Sequence, residues 1–244
     1  MNWHDRYVQQ AGWTRDLRNY LFDKAGLKTA RRVLEVGCGT GAILSELDSS
    51  ASPHGLDLDA GALMDARVHA PAATLVRGDA LSLPYADFTF DITFCHFLLL
   101  WVRDPLTAVR EMARVTRRQG QGYVLALAEP DHTTRVDKPH SLMQLGKWQT
   151  ESLRKQGADV SFGARLADTF ARAGIEIVET GSIQRSGNEA LVSEWEKEWA
   201  VIQADLAGVV AWEKIHKMKL IDEEARARGE RVLHVPTYFV WGRV

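Results

Sequence analysis

Across 244 residues, 45% are hydrophobic and 25% charged, the balance of a globular chain with room for one large α/β domain and insertions. The formal net charge of −2 argues against a surface built for nucleic-acid backbone or anionic lipid. No apolar run is long enough to span a bilayer and Met1 opens no signal-peptide pattern, so a cytoplasmic protein is expected.

Residues 2–27 read as helix, with Trp13, Leu17, Tyr20 and Leu21 at helical spacing and Gly12 placed to split it. Arg32 to Val36 is then a short buried strand rich in β-branched and aliphatic residues. It runs straight into Gly37-Cys38-Gly39-Thr40-Gly41. Glycines at alternate positions let the backbone turn tightly and admit a ligand with no Cβ in its way. A short helix over 40–48 is expected next, its N-terminus offering free N–H groups, ended by the stretch Ser49 to Pro53. The whole reads as a nucleotide-type binding loop, with a plain strand–turn–helix as the alternative.

Two nucleotide classes compete for that loop. Gly37-x-Gly39-x-x-Ala42, with Asp57 20 residues after Gly37, formally satisfies a dinucleotide fingerprint and keeps a nicotinamide-dependent oxidoreductase in view. Against it, Gly41 makes the loop Gly-x-Gly-x-Gly, and Glu35 stands where dinucleotide folds usually keep an apolar residue. No Lys or Arg occurs between Val33 and Asp48 to answer a pyrophosphate. An acidic, glycine-lined cleft suits instead a ligand with a cationic sulfonium and an α-amino group.

Farther along, residues 54–59 read as a second strand, with Asp57 placed to accept from both hydroxyls of a ribose. Asp59 is the expected N-cap of a helix from Ala60. Thr74 to Arg77 is a third strand, followed by Gly78-Asp79-Ala80, which is also a common turn sequence. Ile92 to Cys95 is a fourth strand that ends at His96-Phe97-Leu98. Cys38 and Cys95, the two cysteines, read as reduced, small buried residues, and no metal site is expected. Asp104-Pro105 starts an amphipathic helix stopped by Gly120, and Tyr123 to Ala128 is a fifth strand, apolar throughout, leading into Glu129-Pro130-Asp131-His132. From Pro130 to about Gly163 the chain departs from simple strand–helix alternation, with a helix-like run from Leu142 to Gln156. Alternation resumes with a helix over 166–173 and a strand over 175–178. A second insertion, Ser186 to about Arg231, precedes a last strand over 237–241. Its stripe Leu191, Trp195, Trp199, Ile202 and Leu206 has helical spacing, as core packing or as the wall of a cover.

Glu35, the three glycines, Asp57 and Asp79 together resemble the cofactor motifs of the class I S-adenosylmethionine-dependent methyltransferases, and Leu83 to Asp91 resembles the same family's "LPF-x-x-x-x-FD" stretch. The resemblance spans roughly residues 31–127 and looks closest to the quinone-biosynthesis and natural-product methyltransferases. It implies a Rossmann-like α/β fold: a seven-stranded, mostly parallel sheet with the last strand antiparallel and helices on both faces. In its terms Asp57 binds the ribose, Leu58 lies on the adenine ring, Asp79 accepts from the adenine amine and the Ala80 N–H donates to the ring. Glu35, Gly37, Cys38, Gly39, Gly41 and Cys95 complete the S-adenosylmethionine site, and an N-terminal helical cover, 1–27, brings Trp13 and Arg18 to it. Trp13 as a simple cap on the core is the other reading.

The resemblance implies methyl transfer to a small molecule within one domain, 1–244, with 130–163 and 186–231 as candidate lid and substrate segments. The Asn/Asp/Ser-Pro-Pro-aromatic signature of DNA-base methyltransferases is absent after the fourth strand, so no nucleic-acid partner is expected. Candidate bases are His96, Glu129, Asp131 and His132, where the methyl group should lie. His96 reads somewhat better as a residue that packs or hydrogen-bonds near the cofactor rim. A module that binds the cofactor without turnover stays open as an alternative.

Overall fold

In the computed structural model, residues 3–118, 120–183 and 192–244 are described. The first half of the chain runs α1 (Trp3–Trp13), α2 (Arg15–Lys24), β1 (Val33–Val36), β2 (Pro53–Asp57), α3 (Ala60–His69), β3 (Thr74–Arg77), β4 (Ile92–Cys95) and α4 (Pro105–Val115). The second half runs β5 (Tyr123–Pro130), β6 (Val136–Lys138), α5 (Met143–Lys155), α6 (Leu166–Arg172), β7 (Glu176–Ile183), α7 (Val192–Leu206), α8 (Trp212–Ala227), β8 (Val232–His234) and β9 (Thr237–Arg243).

Seven of the strands form one sheet in the order β3-β2-β1-β4-β5-β9-β7. The pairs from β3 through β5 are parallel, whereas β9 runs antiparallel to both β5 and β7. This is the Rossmann-like, mostly parallel sheet that the resemblance implies. The strand order turns back between β1 and β4, so the connections leaving those two strands diverge. A crevice opens there at the carboxyl edge, where open α/β sheets bind their ligands.

Alternation along the strands assigns the two faces. Leu34, Val36, Cys95, Val124 and Ala126 pack with Ala108, Val109 and Met112 of α4 and Leu166 and Phe170 of α6. Val33, Ile92, Phe94, Leu125 and Leu127 pack on the other face with Ala11 of α1 and Leu21 and Phe22 of α2. Two helices start as the sequence predicts: Asp59 accepts from the Gly61 N–H at the head of α3, and Asp104 accepts from the Thr107 N–H behind Pro105.

Other expectations need correction. The helix over 40–48 is replaced by a single 3-10 turn, Leu44–Glu46. Ala42, Ile43 and Leu44 are consecutively buried, so the segment has no solvent face along which a helix could continue, and Pro53 already opens β2. The N-terminal helix breaks at Thr14, not Gly12, because the Thr14 hydroxyl turns back to the Ala11 carbonyl at 3.2 Å. β2 ends at Asp57, because Asp57 accepts the Asp59 N–H at 2.9 Å and turns the chain into α3. β5 extends through Pro130, so Glu129 is a strand residue.

β6 and β8 form a separate antiparallel pair that joins the two insertions. A buried ionic cluster lies against it. Arg231 donates to Asp222 and, at 3.0 Å, to Asp137, while Arg135 holds the other Asp137 oxygen at 2.7 Å. The indole N–H groups of Trp195 and Trp199 both point to Asp222. Thus the stripe's Trp195, Trp199 and Leu206 pack with Leu142 and Leu145 of the first insertion; Leu191 lies outside the described residues. Among the described residues, no helix is long and apolar enough to cross a membrane.

Removing one member of a buried ion cluster strands its partners' charge, at a typical cost of about 3–5 kcal/mol. Arg231→Met is therefore expected to lower the midpoint of thermal unfolding by on the order of 10 °C. A change within a degree or two would show that the cluster does not hold the insertions together.

Candidate functional site

A cavity of about 600 Å³ occupies the crevice between β1 and β4 and runs under the insertions. Its near end is the glycine loop. Gly37 and Gly39 both have left-handed φ angles, 74° and 51°, which side-chain-bearing residues rarely adopt. The Gly37 and Cys38 N–H groups both donate to the Leu56 carbonyl, at 2.7 and 3.0 Å, and the Gly39 N–H donates to Asp57 at 2.7 Å. A Cβ on Gly37 would meet Leu98 at 2.6 Å, and one on Gly39 would meet the Tyr7 ring at 3.0 Å. The loop is therefore held from below by β2, from one side by the turn after β4, and from above by α1.

Glu35 alternates with Leu34 and Val36 and so faces the α2 side of the sheet. It is buried and borders the cavity, and one of its carboxylate oxygens has no hydrogen-bond partner. Burial raises its pKa well above the usual carboxylate range; the Arg18 charge opposes that rise and Asp57 adds to it. Asp57 stands half-buried at the cavity edge, with both oxygens already accepting loop or turn N–H groups. Each oxygen keeps a lone pair for a ligand hydroxyl.

Above the loop, α1 is fastened by His4, whose Nδ1 is 2.9 Å from the Thr40 hydroxyl and whose ring stacks on His69. Tyr7 borders the cavity, and burial together with the Asp57 and Asp59 charges raises its pKa. Trp13 also borders the cavity, with the Arg6 guanidinium 4.8 Å from its ring centre. Arg18 does not border it. This buried side chain pairs with Glu46 and donates to the Thr14 hydroxyl at 3.1 Å, which in turn is 3.0 Å from His96 Nε2.

At the far end, His96 and His132 border the cavity, whereas Glu129 and Asp131 do not. Burial, helped by the Arg18 charge, lowers the His96 pKa to about 3. Burial and Arg135 lower that of His132 to about 4. Both imidazoles are neutral at pH 7. Glu129 is fully buried and receives the N–H groups of Leu98, Leu99 and Leu100 at 3.0, 2.9 and 3.1 Å. Burial nevertheless outweighs those bonds and lifts its pKa to about 7. Asp131 accepts from the Thr133 N–H and hydroxyl and so shapes its own turn. Neither carboxylate sits where it could take a proton from a molecule in the cavity.

The expected cofactor residues divide accordingly. Glu35, Gly37, Cys38, Gly39, Asp57 and Trp13 meet at the near end of the cavity. Gly41 instead packs against α3, where a Cβ would meet Ala70 at 3.1 Å, and the Cys95 side chain is core. Leu58 is 64% exposed and, like Asp79 and Ala80, lies outside the cavity; Asp79 accepts the Leu81 N–H at 2.9 Å. Tyr7, Thr14, Phe97, Trp101 and Gln149 also border the cavity, and so does Trp199 of the helical stripe. They come from helices and turns that no local motif marks.

S-adenosylmethionine fits the near end. An unpartnered buried carboxylate oxygen answers an ammonium or sulfonium charge, and Asp57 offers acceptors to a diol. Among the described residues, no group of three or more His, Cys, Asp or Glu could hold a metal ion.

Comparisons with known proteins agree. Residues 34–124 match a family described as "Methyltransferase domain". The demethylmenaquinone methyltransferase of Renibacterium salmoninarum is 35% identical over 128 residues, 52% of this chain and 53% of that one. The malonyl-[acyl-carrier protein] O-methyltransferase of Erwinia pyrifoliae is 34% identical over 126 residues, 50% of this chain and 47% of that one. The chain thus spans about half the length of the curated relatives it matches. Among solved structures, the [4+2]-cyclase SpnF superposes with a TM-score of 0.59 at 20% identity, over 92% of this chain and 80% of that one. At that identity the likeness shows the fold alone.

The histidines give a direct test. Each has a folded-state pKa below its ordinary 6.5, so each contributes stability above pH 6.5 that is lost as the pH falls toward about 4 for His132 and about 3 for His96. Imidazole NMR resonances of these two should not titrate between pH 5 and 8. A midpoint near 6.5 for either would mean that it is solvated or faces a carboxylate.

Proposed function

We propose that this chain is a class I S-adenosylmethionine-dependent methyltransferase and that it methylates a neutral, largely apolar small molecule; its 34–124 segment matches a methyltransferase domain. The observation that carries this reading is the polarity of the cavity from end to end. Its glycine-loop end carries the carboxylates Glu35 and Asp57 and no basic residue of the loop. Phe97, Trp101 and Trp199 border the rest, and there the guanidinium groups of Arg135, Arg226 and Arg231 are each paired with a carboxylate. An ionic acceptor finds no unpaired partner among those three cations. A flat apolar one finds aromatic wall at low entropy cost.

When bound, S-adenosylmethionine supplies a methyl group already activated by its sulfonium, so in-line placement of the acceptor can lower the barrier by on the order of 7–11 kcal/mol. The chain's own residues then have modest tasks. Glu35 answers the cationic end of the cofactor and Asp57 its ribose hydroxyls. We assign the adenine side to Leu58, Asp79 and Ala80, which lie outside the cavity. His96, held by Thr14, and His132 present neutral imidazoles that orient an acceptor hydroxyl or amine. With pKa values this low, they are weak general bases. We read α1 and the two insertions as a cover that excludes water.

Isothermal titration with S-adenosylmethionine, S-adenosylhomocysteine and NAD in parallel tests the cofactor. The first two should bind and NAD should not. Asp57→Ala loses two ligand hydrogen bonds and the Gly39 anchor, so its affinity for S-adenosylhomocysteine should drop by roughly 100-fold or more. A folded Asp57→Ala protein with normal affinity removes Asp57 from the ribose site.

A further inference from the structure

Glu129 was a natural candidate for a base, yet its surroundings give it different work. It lies at the end of β5 with no exposed surface, and it does not border the cavity. One carboxylate oxygen accepts the Leu98 and Leu99 N–H groups at 3.0 and 2.9 Å, and the other accepts Leu100 N–H at 3.1 Å. These are the free donors at the head of the 3-10 turn Leu99–Trp101, which follows β4. Only an ionised carboxylate offers acceptors alone to all three.

The turn so held is a strained one. Phe97 has φ 51°, a left-handed conformation that costs a side-chain-bearing residue energy unless its surroundings enforce it. Its N–H donates to the Ala128 carbonyl at 2.9 Å, one residue before Glu129. Two adjacent β5 residues therefore fix four successive N–H groups of the turn. From it Phe97, Leu98, Leu100 and Trp101 reach the cavity, and Leu98 lies against Gly37 closely enough to exclude even a methyl group there.

We propose that Glu129 is a positioning residue: by gathering the three N–H groups of residues 98–100, it presses Leu98 against Gly37 and so sets the shape of the cofactor loop. The role is distinct from general-base catalysis, and it links the acceptor end of the cavity to the cofactor end through one buried side chain. It rests on the methyltransferase reading only in that the loop's ligand is taken to be S-adenosylmethionine.

The test uses Glu129→Gln, which keeps size but points an amide N–H₂ at a backbone donor. In the variant, amide hydrogen exchange at Leu98 to Leu100 should accelerate at least about tenfold, while Val36 and Ala126 in neighbouring strands stay protected. Affinity for S-adenosylhomocysteine should weaken about tenfold or more. Leu98→Ala, which leaves Glu129 and its bonds in place, should keep the Leu99 and Leu100 amides protected and still weaken binding severalfold. Unchanged exchange at Leu98 to Leu100 in Glu129→Gln overturns the proposal. So does wild-type affinity in a folded Glu129→Gln or Leu98→Ala protein. Should the wild-type chain itself fail to bind S-adenosylhomocysteine, the methyltransferase reading falls, and the proposed setting of a cofactor loop falls with it. In that event the exchange data still show whether Glu129 holds the turn.

Discussion

Three left-handed glycines, Gly37, Gly39 and Gly41, set the geometry of the carboxyl edge of this sheet. Each is packed by a different element. Leu98 lies against the first, Tyr7 of α1 against the second, and Ala66 of α3 with Ala70 just beyond it against the third. A side chain at any of these positions would be strained by its φ angle and would also displace a neighbour. The loop also has internal constraints, since Leu56 and Asp57 of β2 take the N–H groups of Gly37, Cys38 and Gly39. Because α1, α3, β2 and the turn after β4 all converge there, the position of the loop fixes theirs.

Burial then decides what the charged groups near the loop can do. Glu35 and Glu129 are both carboxylates at strand ends, both buried and both pushed upward in pKa. They differ in partners. One Glu35 oxygen faces no donor, which leaves it for a cationic ligand, whereas Glu129 is taken up by three backbone N–H groups. The two cavity histidines are driven the opposite way by the same burial and lose their charge. Farther out, carboxylates pair with Arg135, Arg226 and Arg231, so the acceptor end balances those cations while the cofactor end is acidic.

Much of this was legible along the chain, because the signals are local. The caps Asp59 and Asp104-Pro105, the apolar strands β1, β4 and β5, and the alternate glycines each carry their meaning within a few residues. What escaped depends on contacts between distant segments. Arg231 meets Asp137 94 positions away, so neither the β6–β8 pair nor the ion cluster leaves a periodic trace. Tyr7 lies on a helix, and Thr14 at the break between two, whose spacing shows an apolar face without saying that it closes over a loop. Arg18, expected to touch the cofactor, does not border the cavity and reaches His96 only through Thr14. The helix expected at 40–48 is absent because residues 40–44 are all buried, and that burial could not be seen from the sequence.

The central claim is that the acidic, glycine-lined end of the cavity receives S-adenosylmethionine. A crystal structure of the chain grown with S-adenosylhomocysteine tests it most directly. The account predicts the amino group beside Glu35, the ribose hydroxyls on Asp57, and the sulfur directed toward His96. Electron density for the ligand elsewhere, or with its ribose away from Asp57, would contradict it.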